Sequence, residues 1–204
     1  MEDRPFYVVF AGVNGAGKST LYHTGLWKTS AMPASMPRVN PDEFLRAAKG
    51  NWANRADQIA AGKAALQAID GHFAARRSFN HETTLTGHRA LANIARARDR
   101  GYRVHLYYVG VADENVALER IAHRVDTGGH DIDARTVRRR YTASLSNFAK
   151  ALDLCDEAQA LDNTQALTTI ALWRKGVLAW WGVSGSRGAW LPQAIADEEV
   201  WRRS

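Results

Sequence analysis

A glycine-rich segment close to the start of the chain has the residue types and spacing that bind phosphate groups. Residues 12–19 read GVNGAGKS, a full match to the pattern G-x-x-x-x-G-K-[ST], and they lie between an apolar run and a predicted helix. Small residues let successive backbone N–H groups curl around a phosphate, and the helix start adds partial positive charge. This phosphate loop predicts a nucleoside triphosphate site, preferably for ATP, with a chance glycine turn as the alternative.

The pattern assigns a role to individual residues of the phosphate loop. Lys18 is expected to contact the β- and γ-phosphates and to act in catalysis, and the Ser19 hydroxyl is expected to ligate Mg²⁺. The residues predicted to bind the nucleotide here are Gly12, Asn14, Gly15, Ala16, Gly17, Lys18, Ser19 and Thr20.

A carboxylate after the second predicted strand is the candidate general base. Asp42 follows the short strand predicted at 37–40, and strand ends of an open α/β sheet face the ligand crevice. There it could accept the proton of an acceptor hydroxyl, although capping the following helix is an alternative and both can hold. Arg46, one turn later, could clamp an acidic acceptor or lie in solvent.

A second carboxylate stands at the end of the third predicted strand, residues 78–81. Glu82 could hold a Mg²⁺-bound water or hydrogen-bond to a hydroxyl of the acceptor, and the alternative is a carboxylate satisfied by neighbouring backbone. Thr83 is expected to contact the acceptor beside it, and His81 is a weaker candidate.

Arginines on two helices are candidates to neutralise the transferring phosphoryl group. Arg120 and Arg124 share a helical face, Gly128 and Gly129 form a loop after them, and Arg140 flanks the apolar stripe of the next helix. Together they predict a helical lid around residues 120–140, with a solvated basic face as the alternative. Asn163, beyond the fifth strand, is a candidate contact of the adenine edge.

Apolar runs that alternate with alanine-rich helical segments must position these residues. This alternation predicts an α/β fold of three layers, the P-loop NTPase fold, with a mostly parallel five-stranded sheet. Strands are predicted at 6–11, 37–40, 78–81, 104–111 and 158–161, and helices at 18–27, 55–76, 87–100, 113–125 and 134–152.

The end of the chain differs in composition from the rest. Five of the seven tryptophans lie from Trp173 onward, and residues 168–173 and 177–181 predict an antiparallel hairpin. We expect a kinase-type domain over residues 1–165 and a hairpin with its tail, residues 166–204, packed on the same domain. The hairpin could cover a sheet edge or bind a partner.

The composition excludes collagen-like, coiled-coil and disordered proteins. The 204 residues are 46% hydrophobic and 24% charged, and a net charge of +6 suits a polyanionic ligand. The apolar run at 6–11 is too short to cross a bilayer, and Cys155, the single cysteine, cannot form an internal disulfide. We therefore expect a cytoplasmic protein without membrane association.

The order of these segments resembles that of the zeta toxin family of P-loop kinases. The resemblance covers residues 6–165 and depends on the segments at 12–19, 40–42, 81–84, 124–130 and 140–147. It implies a kinase with an ATP site, Asp42 as general base, Lys18 on the phosphates, and Arg120 and Arg124 near the γ-phosphate. It also implies a UDP-activated amino sugar as acceptor and an antitoxin protein as partner.

The chain is shorter than the best-known members of that family and has a compact lid segment, similar to small metabolite kinases. We therefore expect transfer of the γ-phosphoryl group of MgATP to a small-molecule hydroxyl, with a UDP-sugar as candidate. A nucleic-acid 5′-hydroxyl kinase is an alternative encouraged by the net charge of +6. A non-catalytic ATP-binding module that docks a protein partner is the other.

Overall fold

The computed structural model describes residues 4–126 and 132–191 of the chain. The strands are β1 (Phe6–Ala11), β2 (Arg38–Val39), β3 (Phe79–Thr83), β4 (Arg103–Gly110), β5 (Glu157–Asp162), β6 (Thr168–Arg174) and β7 (Val177–Trp181). The helices are α1 (Lys18–Thr24), α2 (Pro41–Ala47), α3 (Arg55–Ala74), α4 (His88–Asp99), α5 (Glu114–Asp126) and α6 (Ala134–Ala151), followed by a 3₁₀ turn at Leu152–Leu154.

All these strands form one sheet in the order β2-β3-β1-β4-β5-β6-β7. The first five strands pair in parallel, while β6 pairs antiparallel with β5 and β7 antiparallel with β6. The predicted hairpin is confirmed, but the predicted count of five strands is wrong. The sheet has seven strands because β6 pairs with β5 along its length, from Asp162↔Thr168 to Glu157↔Arg174. The domain boundary near residue 165 stays a prediction.

Strand β1 explains why the fold has three layers. It is buried along its whole length, and its alternate side chains enter two separate cores. Tyr7 and Val9 pack with α3, α4 and α6 on one side of the sheet, whereas Val8 and Phe10 pack with α1 and α5 on the other. A central strand that is apolar on both faces therefore holds helices on both sides of the sheet.

The carboxyl ends of the parallel strands bring the candidate residues to one edge of the sheet. The phosphate loop follows β1, Asn40 follows β2, and Glu82 and Thr83 end β3, while β1 and β3 are direct neighbours. Helix α1 ends at Thr24, earlier than expected, because Gly25 takes a left-handed conformation (φ 70°) and caps it. Within the described residues, no helix is long and apolar enough to cross a membrane.

Candidate active site

The backbone of the phosphate loop requires glycine at its key positions. At Gly12, φ is +136° and a β-carbon would lie 2.1 Å from the carbonyl oxygen of Val109. At Gly17, φ is +103° and a β-carbon would lie 2.1 Å from Nδ2 of Asn163. A side chain fits at neither position, so the loop keeps the backbone concavity that accommodates a phosphate.

Side chains from distant segments hold the phosphate loop in this shape. The Asn163 amide donates a hydrogen bond to the Ala16 carbonyl (2.8 Å). The Arg120 guanidinium donates to the carbonyl oxygens of Asn163 (2.6 Å), Thr164 (3.1 Å) and Gly15 (3.5 Å). Both side chains thus tie the loop after β5 to the phosphate loop. Adenine recognition by Asn163 and phosphate contact by Arg120 stay predictions.

Lys18 is buried at the start of α1, with only 8% of its surface exposed. Its ammonium donates a hydrogen bond to the Val13 carbonyl at 3.2 Å. Burial lowers the pKa of Lys18 from its usual value, and this is the largest effect. The charges of Glu82 and Asp42 act in the opposite direction. An amine that lies among carboxylates at the phosphate loop is placed to contact phosphate oxygens.

Two arginines of the predicted lid lie within electrostatic reach of Lys18. The positive charges of Arg124 and Arg140 both contribute to the lowering of the Lys18 pKa. Arg140 also donates a hydrogen bond from Nη1 to Oδ1 of Asn14 in the phosphate loop (2.8 Å). Its neighbour Arg139 is exposed. The loop predicted at Gly128 and Gly129 lies outside the described residues.

A cavity of about 560 Å³ opens over the phosphate loop and the start of α2. Its lining residues are Asn14, Lys18, Asn40, Pro41, Asp42, Leu45, Trp52, Gln58, Ala61, His81, Glu82, Thr83, Thr84, Ile132, Asp133, Thr136 and Arg140. The predicted base, Asp42, therefore shares one cavity with Lys18 and Asn14 of the phosphate loop. This volume is in the range of small-molecule sites.

Asp42 lies in the first turn of α2 and faces the cations of the cavity. Burial lowers the pKa of Arg140, and the negative charge of Asp42 opposes that shift. The cap of α2 is the side chain of Asn40, which accepts a hydrogen bond from the backbone N–H of Asp42 at 3.0 Å. The Asp42 carboxylate is therefore not the helix cap that sequence offered as an alternative.

Ser19 and Glu82 form the part of the site that suits Mg²⁺. The Ser19 hydroxyl donates to the Glu82 carboxylate, with Oγ 3.0 and 3.1 Å from its two oxygens. The Asn40 amide donates to the same carboxylate at 3.2 Å. A hydroxyl and a carboxylate beside a phosphate loop are oxygen donors of the kind that Mg²⁺ takes together with phosphates and water.

Three further positions considered in the sequence differ in their exposure. Arg46 is exposed and is not among the residues that line the cavity, so its contact with an acceptor stays a prediction. Thr20 is exposed one residue beyond the Ser19 hydroxyl. His81 is buried, with Nδ1 at 2.9 Å from the Tyr7 hydroxyl, and burial lowers its pKa to about 4. Its imidazole is neutral near pH 7.

Sequence reasoning missed Arg38 and one wall of the cavity. Arg38 of β2 forms an ion pair with Glu82. The wall from α2, α3 and the loop between them contains Leu45, Trp52 and Ala61, with Gln58 beside them. The four-residue spacing of the buried positions in α3 marks Ala61 as inward-facing, but no local signal shows that Trp52 lines the cavity.

Comparison with known proteins identifies the family. The profile described as Zeta toxin matches residues 1–176. The chain belongs to the zeta toxin family. One relative is described as an uncharacterized protein from Haemophilus influenzae. It is 32% identical to this chain over 136 residues, which are 66% of this chain and 91% of the relative.

Solved structures share the fold at low identity. The PezAT toxin-antitoxin system of Streptococcus pneumoniae matches with a TM-score of 0.61 and 15% identity, over 81% of this chain and 70% of that one. The AvrRxo1-ORF1:-ORF2 complex with ATP matches with a TM-score of 0.66 and 15% identity, over 98% of this chain but only 63% of that one. The Pnkp1/Rnl/Hen1 RNA repair complex matches with a TM-score of 0.57 and 16% identity, over 74% of this chain and 47% of that one.

Family and fold together support a broad class of activity. The zeta toxin family and the P-loop kinase fold support a kinase-type phosphotransferase that uses ATP. The phosphate loop, a lysine on it and a carboxylate across one cavity are the parts such an enzyme requires.

Proposed function

We propose that this zeta toxin family chain transfers the γ-phosphoryl group of MgATP to a hydroxyl of a small molecule, with a nucleotide sugar as the favoured acceptor. One observation carries the proposal: Asp42 and Lys18 line the same cavity. An alcohol between them has a proton acceptor on one side and the phosphate loop on the other. That geometry permits in-line attack, which a nucleotide-binding module does not require.

Each side chain then has a defined task in the transfer. Asp42 accepts the proton of the acceptor hydroxyl while the hydroxyl oxygen forms its bond to the γ-phosphorus. The bond from that phosphorus to the oxygen bridging the β-phosphate breaks, and ADP leaves. Lys18, with Arg124 and Arg140, stabilises the charge on the phosphoryl oxygens.

Mg²⁺ supplies charge neutralisation on the β- and γ-phosphates when it is bound. The residues that would hold it are Ser19, through Oγ, and Glu82, through a water. The chemistry of this donor set fits, because both side chains present oxygens next to the phosphate loop. The motif predicts Ser19 as a ligand, and the contact of Glu82 with the Ser19 hydroxyl adds Glu82 to the set.

The wall opposite the phosphate loop supports an acceptor with a ring. Trp52 brings an aromatic ring to the cavity lining, against which a sugar or a base could pack, and Leu45 and Ala61 add apolar surface. Gln58 and Thr84 line the same cavity and can exchange hydrogen bonds with ring hydroxyl or amide groups. A nucleotide sugar combines all these features with an anionic diphosphate, which Arg140 can attract.

The toxin role and an antitoxin partner belong to the same proposal. Membership of the zeta toxin family supports them, and the solved relatives include a toxin-antitoxin system. Phosphorylation of a nucleotide sugar would remove a building block from synthesis. An antitoxin would then act by blocking the cavity or its entrance.

A phosphoryl-transfer screen tests the proposal. The protein is incubated with Mg²⁺ and γ-labelled ATP against four acceptor classes: nucleotide sugars, free sugars, nucleosides and short oligonucleotides with a 5′-hydroxyl. We expect acceptor-dependent label transfer and ADP release with nucleotide sugars. Transfer to oligonucleotides alone would replace the small-molecule acceptor with nucleic acid. ATP binding without transfer to any class would refute the kinase activity.

A further inference from the structure

Arg38 lies at the centre of a network behind the phosphate loop that the proposed mechanism does not use. Its guanidinium pairs with Glu82 through Nη2 (2.5 Å) and with Glu43 through Nη1 (2.8 Å). It also stacks on the Tyr22 ring, with Cζ 3.8 Å from the ring centroid. Only 8% of the Arg38 side chain and 10% of the Glu82 side chain are exposed, so this ion pair is largely removed from water, whereas Glu43 is 40% exposed.

The partners of Arg38 come from separate elements that must keep a fixed spacing. Glu82 ends β3, Glu43 lies in the first turn of α2, and Tyr22 lies on α1 one turn after Ser19. Residues three apart on a helix share a face, so Tyr22 and Ser19 both present their side chains toward Arg38. The Arg38 Nη2 atom is 3.5 Å from Ser19 Oγ.

Of the contacts that Arg38 makes, the ion pair with Glu82 is the one that bears on the reaction. Only 10% of the Glu82 side chain is exposed, and a carboxylate in such a position needs a cation and hydrogen-bond donors to remain in place. Another cation within electrostatic reach is Lys18, whose pKa the charge of Glu82 raises. A carboxylate without Arg38 would therefore attract the amine that must contact ATP.

We propose that Arg38 is a positioning residue that fixes Glu82, and through it the Ser19 hydroxyl, for Mg²⁺-dependent ATP binding. This inference rests on the proposed function, because it concerns the metal side of the same ATP site. The planar fork of arginine suits this task, since it reaches two carboxylates while its face lies on an aromatic ring. A lysine can supply the charge, but its compact ammonium lacks the planar fork that joins two separate carboxylates while its face lies on a ring.

The test measures how much Mg²⁺ improves ATP binding, without reference to turnover. ATP affinity is measured by calorimetry with Mg²⁺ and again with a chelator, and the ratio is the Mg²⁺ gain. In Arg38→Gln we expect the gain to fall by about 10- to 100-fold, the usual cost of losing a residue that orients a metal ligand. The affinity measured with chelator should change much less, and Arg38→Lys should be intermediate.

A matched control comes from a second arginine with the same kinds of contact elsewhere. Arg96 of α4 pairs with Asp70 and lies over the Phe73 ring, with Cζ 4.6 Å from the centroid, away from the cavity. This pair is more exposed than that of Arg38 and Glu82, so Arg96→Gln should lose little stability and leave the Mg²⁺ gain unchanged. Thermal unfolding of each variant reports its stability separately.

A double substitution shows whether Arg38 acts through Glu82. In a Glu82→Gln background, Arg38→Gln should reduce the Mg²⁺ gain little further, because the group it positions is already altered. Additive losses would overturn the inference, and so would a wild-type Mg²⁺ gain in either Arg38→Gln or Arg38→Lys. If the wild-type protein itself binds no MgATP, the proposed function fails. A normal wild-type gain that survives in Arg38→Gln refutes only the role of Arg38.

Discussion

Replacement of Asp42 by asparagine is the most direct test of the proposed chemistry. The change keeps the size of the side chain and removes its ability to take a proton. General bases contribute about 100- to 10,000-fold to turnover, which corresponds to about 2.7 to 5.4 kcal/mol at about 1.36 kcal/mol for each factor of ten. We expect a loss of kcat in that range.

The structure indicates that the other properties of the Asp42→Asn protein should change little. The cap of α2 depends on the Asn40 side chain and the backbone N–H of residue 42, which the substitution leaves intact. The loss of a carboxylate from the first turn of the helix costs at most about 1 kcal/mol. ATP affinity should be unchanged or slightly higher, because a negative charge near Lys18 and Arg140 has been removed.

The assay is acceptor-dependent release of ADP at saturating MgATP, with ATP affinity measured by calorimetry on the same samples. Asp57→Asn is the matched control, since Asp57 is also a first-turn carboxylate but belongs to α3 and does not line the cavity. It should keep normal turnover. Near-normal turnover of a folded Asp42→Asn protein would refute the assignment of the base.

Three further substitutions test the supports of the site. Lys18→Ala should reduce phosphoryl transfer about 100-fold or more, because a cation on the phosphates is lost; initial-rate kinetics measures this. Gly12→Ala should lower the free energy of unfolding by about 1–3 kcal/mol and weaken ATP binding, since its β-carbon would lie 2.1 Å from the Val109 carbonyl oxygen. Denaturant titration measures the free energy of unfolding, and calorimetry measures the ATP affinity. Asp162→Ala should lower the free energy of unfolding by about 3 kcal/mol, because the buried carboxylate accepts three hydrogen bonds, including one from Trp190 Nε1 (2.9 Å). Denaturant titration measures this loss.

Each of these expectations has a result that contradicts it. Undiminished transfer by the Lys18 variant would remove that lysine from the mechanism. An unchanged unfolding free energy in the Gly12 variant would show that the loop adapts to a side chain. Wild-type stability of the Asp162 variant would mean that its hydrogen bonds are replaced by water at little cost.

Local patterns were sufficient for the parts of the site whose geometry is set within a few residues. The phosphate loop could be identified from spacing alone, because its function depends on the backbone of consecutive residues. The position of Asp42 could be inferred one step further, because carboxyl ends of parallel strands meet at one edge of a sheet. The structure confirms the α/β fold and the hairpin, and it places Asp42 and Lys18 in one cavity.

Contacts between distant segments could not be predicted in this way. Arg38 and Glu82 are 44 residues apart, and nothing in a two-residue strand shows which neighbour its side chain meets. Arg120 and Asn163 similarly contact the phosphate loop across more than 100 residues. The five-strand prediction was wrong for the same reason, since only pairing with β5 makes the hairpin part of the sheet.

The amino-acid sequence by itself determined the phosphate loop, the layered α/β architecture and the family, because short-range spacing and apolar alternation carry that information. Only the tertiary structure decided which cation pairs with Glu82, which carbonyls accept hydrogen bonds from Arg120 and which ring lines the cavity. These depend on side chains brought together by packing, and the free energy of packing depends on all elements at once rather than on any single segment.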